Sequence, residues 1–448
     1  MVRAQSGSAM NRLPAAQTQL SMKQISLFFL PLVLNVQLMS VSHSIINSFL
    51  ARLDDYVLAL ASFSIAMVVH LLFASPSYQN HTITLAVVCG PRSFRSMIIF
   101  VIVIATFVSV MLNLIAYSPF GDFLLDTVLG VEADVAHSAK QAIALMALLP
   151  FFTGFRGLFQ GLVIRSHRTH LVSIATGVRV VSLLGFIVWG GRWFNGAQLG
   201  AFALVACVAV ESMVMGAMAY RNRGTVPHRK DDLAADREKT PLKVLRFALP
   251  VAFSSGLQQT IPVVINAIIS RLPDATLALA AFGVIRAIMF MLAGPLRNLQ
   301  QVYLAMVESA ADYKILVRFF YRTSLVMAAL VLMLALPLND LILKQVLGIA
   351  DDLRLYIIAP LAWCAIFPLF YGATNILRAH FTGSGQTLVL GQATILKFAY
   401  LLGCWLLLPL VAPAVSGIGL AIFLLISSEC AEGLFLRWQR SRNSRRRI

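Results

Sequence analysis

Long apolar stretches follow one another from residue 24 to residue 437, with short polar segments between them. A helix of about 20 apolar residues crosses a bilayer core of about 30 Å. The stretches are continuous and do not alternate, so they disfavour a β-barrel. We therefore predict an all-α polytopic membrane protein with twelve transmembrane helices, at 24–50, 56–88, 96–118, 136–163, 171–191, 196–220, 243–270, 275–303, 316–338, 353–378, 386–410 and 416–437.

The first two spans recur in the second half of the chain at an offset of 219 residues. Further on the offset becomes 218, where Val128-Leu-Gly-Val131 matches Val346-Leu-Gly-Ile349. Six spans per half place both halves the same way up in the membrane. We predict two six-helix bundles related by a parallel internal repeat, typical of transporters. The matching residues are Pro31 with Pro250, Asn47 with Asn266, Arg52 with Arg271, Asp55 with Asp274, Pro76 with Pro295 and Pro150 with Pro368.

The repeat and the polar segments predict five regions along the chain. They are a cytosolic tail at 1–22, an N-terminal bundle at 23–220, a basic cytoplasmic linker at 221–242, a C-terminal bundle at 243–437 and a basic cytosolic tail at 438–448. The first 22 residues are polar and lack the apolar core of a cleavable signal peptide. The chain is 59% apolar and only 12% charged, whereas soluble chains carry about 25% charged residues.

The net charge of +17 has an unequal distribution between the two sides of the predicted membrane. Basic residues gather at both ends of the chain and in the linker, and cytoplasmic loops favour Lys and Arg. We therefore predict an integral protein of the plasma (inner) membrane with both termini in the cytoplasm. A basic rim facing lipid headgroups accounts for the charge, so nucleic-acid binding needs no separate hypothesis. The five cysteines lie in or beside apolar runs, and no spacing predicts a metal site or a cofactor.

Polar side chains inside the spans are the candidate substrate site, because charge at membrane depth is costly and usually faces a cavity or a partner. Arg156 and Arg286 stand out, since small residues flank both and leave room for a ligand. Pairing of Arg156 with Glu211 between helices is the alternative, as is helix–helix hydrogen bonding for the two asparagines near the span ends. The candidates are His43, Asn47, Arg156, Gln160, Gln258, Asn266, Arg286, Asn375 and Lys397.

A second set of basic residues follows the fourth and the tenth span. Arg165 and His167 come after the fourth span, and Arg378 and His380 after the tenth. We predict that these four form a paired cytoplasmic rim, which either sets the topology or attracts anions to the cleft. Pro76 and Pro295 interrupt two long apolar segments, where they predict kinks with either a packing or a substrate-facing role.

Several short motifs resemble the progressive ankylosis protein family, within the superfamily of multidrug and toxic-compound extrusion proteins and polysaccharide-lipid exporters. They are Leu60-Ala-Ser-Phe63 with Pro76, Leu114-Ile-Ala-Tyr-Ser118 with Gly121, Asn266 with Ser270-Arg271, and Arg378-Ala-His-Phe-Thr-Gly383. The resemblance implies a twelve-helix exporter of organic or phosphorylated anions such as pyrophosphate, nucleotides or citrate. The chain departs from the animal pattern at His43, which replaces an acidic residue, and at Gln259 and Pro262, which replace basic ones.

The expected function is secondary transport by alternating access, with a small and anionic substrate. A proton- or sodium-coupled multidrug antiporter and a flippase of lipid-linked substrates are the alternatives. The first two spans contain no carboxylate, which counts against the multidrug antiporter. An enzyme would need a cluster of acid–base or metal-binding residues, and the sequence shows none. The expected partners are the substrate, a coupling ion (proton or sodium) and membrane lipids.

Overall fold

A computed structural model describes residues 20–128, 131–222, 240–272, 274–411 and 417–445. The predicted linker at 221–242 and the two predicted tails lie largely outside these residues. Seventeen α-helices are assigned in the described part. Their bounds in the N-terminal half are α1 Met22–Leu50, α2 Tyr56–Ala74, α3 Asn80–Val87, α4 Pro91–Tyr117, α5 Pro119–Asp122, α6 Ala133–Met146, α7 Leu149–Arg165, α8 Thr169–Gly190 and α9 Gly196–Arg221.

The second half repeats this order of long and broken helices. Its helices are α10 Pro241–Ile269, α11 Ala275–Ala293, α12 Leu299–Met306, α13 Ala310–Ala335, α14 Asp351–Trp363, α15 Phe367–Gly383, α16 Thr387–Val411 and α17 Gly417–Arg445. Eleven helical segments of the described chain are long and apolar enough to span a membrane, and α6 with α7, bent by 43°, makes a twelfth. The predicted fold class is confirmed. The last helix ends at Arg445, well beyond the predicted limit of 437.

The helix breaks follow the repeated prolines. A 3₁₀ turn after Pro76 separates α2 from α3, and a 3₁₀ turn containing Pro295 separates α11 from α12. Pro150 and Pro368 are each the second residue of their helices, α7 and α15, where a missing N–H costs nothing. The α-helices are therefore interrupted at Pro76 and Pro295, where kinks were predicted. The fourth and tenth spans, predicted as continuous, are also broken.

The spans run between two ends of the molecule. We call the end at which α1 begins the basic end, and the end at which α1 finishes the acidic end. The N-terminal and C-terminal halves form two lobes that pack together in the basic half. There the Phe29 and Phe319 ring centroids are 5.4 Å apart, and the Asn298 side chain donates to the Leu32 carbonyl at 2.9 Å. Towards the acidic end, a separate hydrophobic cluster contains residues of the N-terminal lobe only. The lobes are thus held together mainly at one end.

Hydrogen bonds at the start of α1 reinforce this closure at the basic end. Ser309 and Asp312 form a capping box at the start of α13, with Ser309 N–H donating to Asp312 Oδ2 at 3.0 Å. The other carboxylate oxygen of Asp312 accepts the Leu20 N–H at 3.2 Å. A single cap therefore satisfies backbone donors of α13 and also connects the two lobes.

Candidate functional site

The N-terminal lobe contains a buried ion cluster centred on Glu211 of α9. Arg156 of α7 lies with its Nη1 atom 3.4 Å from Glu211 Oε1, and Arg179 of α8 lies with its Nη1 atom 3.4 Å from Glu211 Oε2. All three residues are at most 5% exposed. One carboxylate is therefore shared between two guanidinium groups inside the bundle. Both distances are longer than the roughly 2.7–2.9 Å of a tight charge-assisted hydrogen bond.

Two uncharged residues hold the Glu211 carboxylate in place. The Thr176 hydroxyl of α8 donates to Glu211 Oε1 at 2.7 Å. Asn35 of α1 in turn donates to Thr176 Oγ1 at 2.6 Å. This chain of bonds connects α1, α8 and α9, the helices that pack against one another here. The Glu211 carboxylate thus accepts from a hydroxyl and faces two cations.

The C-terminal lobe contains a second buried ion cluster at α15, α16 and α17. Arg378 forms an ion pair with Glu432, and Lys397 forms one with Glu429. Lys397 Nζ also lies 3.2 Å from Glu432 Oε2. The remaining donors of Arg378 are satisfied too, because Nη1 donates to Ser254 Oγ and Nη2 to Thr394 Oγ1, each at 3.0 Å. Two cations thus face two carboxylates.

The two clusters occupy equivalent places in the internal repeat. Their members are related by the same offsets of 218 or 219 residues as the prolines. In both lobes a small polar residue of the first span (α1 or α10) forms a hydrogen bond with a threonine of the fifth span (α8 or α16). A basic residue of the fifth span forms an ion pair with a glutamate of the sixth span (α9 or α17). The equivalent residues are Asn35 with Ser254, Thr176 with Thr394, Arg179 with Lys397 and Glu211 with Glu429. The repeat therefore extends to the charged interior.

The clusters differ at the remaining charged positions. Arg156 corresponds to Thr374 in the repeat. Arg378 corresponds to Gln160, which lies about one helical turn after Arg156. Glu432 corresponds to Val214. Consequently the N-terminal cluster has two cations for one carboxylate, whereas the C-terminal cluster is balanced.

A small polar cavity of about 30 Å³ lies between the lobes, and Arg378 and Glu429 of the C-terminal cluster form part of its lining. Arg297, from the 3₁₀ turn after Pro295, lines it together with Gln258, Gln300 and Asn375. Gln79 lines it from the N-terminal lobe and donates to Ser255 Oγ at 3.0 Å. Arg297 is half-buried, and no carboxylate of the described residues lies within ion-pair distance of it.

Comparisons with known proteins agree with this architecture. Residues 14–272 match the family model of the progressive ankylosis protein (ANKH), which is more than half of the chain. This chain belongs to the progressive ankylosis protein family. The resemblance predicted from the short motifs is confirmed.

Solved structures with the same fold are transporters of the MOP superfamily. One from Pyrococcus furiosus, described as having a binding pocket of reversed polarity, has a TM-score of 0.70 at 14% identity, over 94% of this chain and 96% of that chain. A variant of the Vibrio cholerae MATE transporter VcmN gives 0.72 at 17% identity, over 94% and 97%. The eukaryotic MATE transporter AtDTX14 gives 0.68 at 14% identity, over 95% and 98%. At these identities the likeness establishes the fold.

The structure brings together some of the predicted site residues and separates others. Gln258 and Asn375 line the cavity that contains Arg297, and the Lys397 side chain lies in the neighbouring ion cluster. Arg156 is paired with Glu211, which is the alternative that the sequence left open. Gln160 is buried in α7 and His43 is half-buried in α1, while Asn47, Asn266 and Arg286 are exposed in the acidic half of their helices.

The prediction of a four-residue rim is wrong for Arg378. Its side chain is buried within the C-terminal lobe, because Glu432, Ser254 and Thr394 satisfy its donors. His380 is half-buried, with Nδ1 3.0 Å from the Tyr303 hydroxyl. Arg165 and His167 are exposed at the basic end. The tenth span was predicted to end at Arg378, but α15 continues to Gly383 and places this side chain inside the lobe.

Arg297 and Glu432 are two of the site residues with roles that sequence reasoning missed. Arg297 lies two residues after Pro295, at a break where a basic residue looks like part of a loop. The available signal was depth, because the predicted span at 275–303 contains Arg297 six residues before its end. Glu432 lies only five residues before the end of the predicted last span at 416–437, but α17 continues to Arg445 and places it inside.

Proposed function

We propose that this membrane protein is a secondary transporter of small organic or phosphorylated anions, operating by alternating access. The observation that carries the proposal is Arg297, a half-buried cation between the lobes with no carboxylate partner in the described chain. A guanidinium binds carboxylates and phosphates through two parallel hydrogen bonds. The amides of Gln79, Gln258 and Gln300 beside it offer further donors to an anion.

The balance of buried charge supports an anionic substrate over a cationic one. A cationic drug would require an uncompensated carboxylate at membrane depth. Among the described residues, Glu211, Glu429 and Glu432 are each ion-paired with at least one Arg or Lys. The two ion clusters together contain four basic side chains and three carboxylates, and Arg297 adds a fifth basic side chain. Pyrophosphate, nucleotides and citrate, which the family resemblance implies, are the first candidates.

The packing of the lobes supports alternating access by rocking bundles. The lobes are joined at the basic end, and the cavity containing Arg297 lies deeper, about nine residues or 14 Å along the helix from the end of α12. Release of the basic-end contacts, with closure at the acidic end, would expose this cavity to the opposite side. An anion drives the exchange only if the two states bind it with different affinity.

We assign the basic end to the cytoplasm of the plasma (inner) membrane, on the positive-inside rule. Cysteines at Lys243 and Asp352, both exposed and at opposite ends, test this orientation in a background without the five native cysteines. A membrane-impermeant maleimide added to intact cells should label position 352 and leave position 243 unlabelled until the cells are opened. The reverse pattern would invert the assignment.

Counterflow in proteoliposomes tests the proposed function directly. Vesicles loaded with unlabelled pyrophosphate, ATP or citrate should accumulate the same labelled anion from outside, and empty-vector vesicles should not. Counterflow distinguishes a carrier from a channel, because a channel produces no transient accumulation. Proton and sodium gradients imposed in separate samples identify the coupling ion. Accumulation of cationic dyes, or of a fluorescent lipid analogue, without anion counterflow would support the multidrug or flippase alternative instead.

A further inference from the structure

The N-terminal ion cluster has one positive charge more than its counterpart in the C-terminal lobe. Arg156 and Arg179 share the single carboxylate of Glu211, and all three side chains are at least nine-tenths buried. At the equivalent depth, Lys397 and Arg378 face both Glu429 and Glu432. Since uncompensated charge inside a membrane protein is costly, the two lobes differ in how the charge is neutralised.

The hydrogen bonds show the same difference. The Nε atoms of Arg156 and Arg179 are buried and have no acceptor among the described residues. Arg378 has an acceptor for each of its three nitrogen atoms, namely Glu432, Thr394 and Ser254. Buried donors are almost always satisfied, so two unpaired guanidinium N–H groups in one cluster indicate a missing acceptor. A bound anion would supply both the missing acceptor and the missing negative charge.

We propose that the N-terminal lobe contains a binding site for one small inorganic anion of the chloride class, held by Arg156 and Arg179. The anion replaces the second carboxylate, which the C-terminal lobe supplies through Glu432 and which the N-terminal lobe lacks because the equivalent residue is Val214. A monovalent ion neutralises the cluster, and a spherical ion can accept from donors on two helices at once. The site is separate from the cavity of Arg297 and does not depend on the proposed transport function.

The long contacts to Glu211 are consistent with this site. Each guanidinium group lies 3.4 Å from the carboxylate, and Glu211 already accepts a 2.7 Å bond from Thr176. Neither arginine is therefore committed to a tight bidentate pair with Glu211. Both can turn part of their donor set towards an anion without leaving the carboxylate unpaired.

Chloride replacement tests the proposal in the purified, full-length protein. We expect the melting temperature to rise as sodium chloride replaces sodium gluconate at constant ionic strength, because a ligand that binds the folded state stabilises it. Equilibrium binding of ³⁶Cl⁻ should be saturable. A melting temperature that is the same in both salts, together with no saturable ³⁶Cl⁻ binding, would overturn the proposal. If ³⁶Cl⁻ binding is detected but does not saturate, it reflects weak and non-specific association of salt, and this result would also overturn the proposal.

Val214→Glu supplies the missing carboxylate from the chain itself. This variant should weaken ³⁶Cl⁻ binding at least about tenfold, the loss of a charge-assisted interaction, and its melting temperature should no longer depend on chloride. The matched control Val214→Gln has nearly the same shape without the charge and should keep both properties. If Val214→Glu does not fold, Arg156→Gln gives the same test, since it leaves one cation for Glu211. Full chloride binding in a folded Val214→Glu or Arg156→Gln protein would refute the site.

Competition separates an inorganic ion from the anionic group of a transported substrate. If Arg156 and Arg179 bound the substrate itself, pyrophosphate or citrate would displace ³⁶Cl⁻ in proportion to its transport affinity, and the chloride-class proposal would be wrong. We expect ³⁶Cl⁻ binding to persist in an Arg297→Gln variant. If the protein binds chloride but does not transport anions, the proposed function is wrong and this site remains. If it transports anions but does not bind chloride, this site is wrong and the proposed function remains.

Discussion

Glu211→Gln is expected to destabilise the protein by about 3–5 kcal/mol, the usual consequence of removing one partner from a buried ion pair. The substitution leaves Arg156 and Arg179 inside the lobe without any carboxylate. It also weakens the acceptor of the Thr176 hydroxyl, which connects α8 to α9. Thermal unfolding of the purified protein in detergent, at fixed chloride, measures the loss.

The single arginine variants are the matched controls for this prediction. Arg156→Gln and Arg179→Gln each leave Glu211 with one cation, so the cluster becomes neutral and a much smaller loss of stability is expected. An Arg156→Gln protein as unstable as Glu211→Gln would show that Arg156 contributes mainly by packing. In that case the shared-carboxylate account of the cluster would have to be abandoned.

Arg297→Gln is expected to raise the KM for the transported anion about ten- to a hundredfold, the loss of about 1.5–3 kcal/mol from a charge-assisted hydrogen bond. Gln300 and Asn375 bond to each other at 2.6 Å and should keep the cavity wall in place. Arg297→Lys retains the charge but not the paired donors, so an intermediate KM is expected. Initial rates in proteoliposomes at several anion concentrations measure the effect.

Arg286→Gln provides a control for total charge, because it removes a basic side chain of the same lobe that is exposed and does not line the cavity. Its effect on KM should be smaller than that of Arg297→Gln. Equal effects of the two substitutions would favour a diffuse positive field over a binding site at Arg297. A folded Arg297→Gln protein with unchanged KM would place the substrate elsewhere, and Arg286 would then be the next candidate.

Helix positions and the repeat were predictable because they depend on local properties of the chain. Apolar runs long enough for a bilayer predicted each span, and proline at equivalent places predicted the breaks after α2 and α11. The bend between α6 and α7 was missed, because Pro150 lies inside one continuous apolar run that predicted a single span at 136–163. Burial of charge was harder, since an arginine five residues from a helix end, as Arg378 is, can reach solvent or turn inward.

The membrane class, the twelve spans, the two equivalent halves and the family were all predictable before any contact was known, because hydrophobic length and a repeated order of residues are properties of the chain alone. Which polar groups meet depends on how the helices pack. Glu211 lies 55 residues after Arg156, and Glu432 lies 54 residues after Arg378, so neither pair has a local signal. Helix packing brings such residues together, and the low polarity of the interior then requires each charge to find a partner. The unpaired charge of Arg297 and the extra positive charge beside Glu211 are therefore properties of the packed helices, because each depends on which carboxylates lie close enough to form an ion pair.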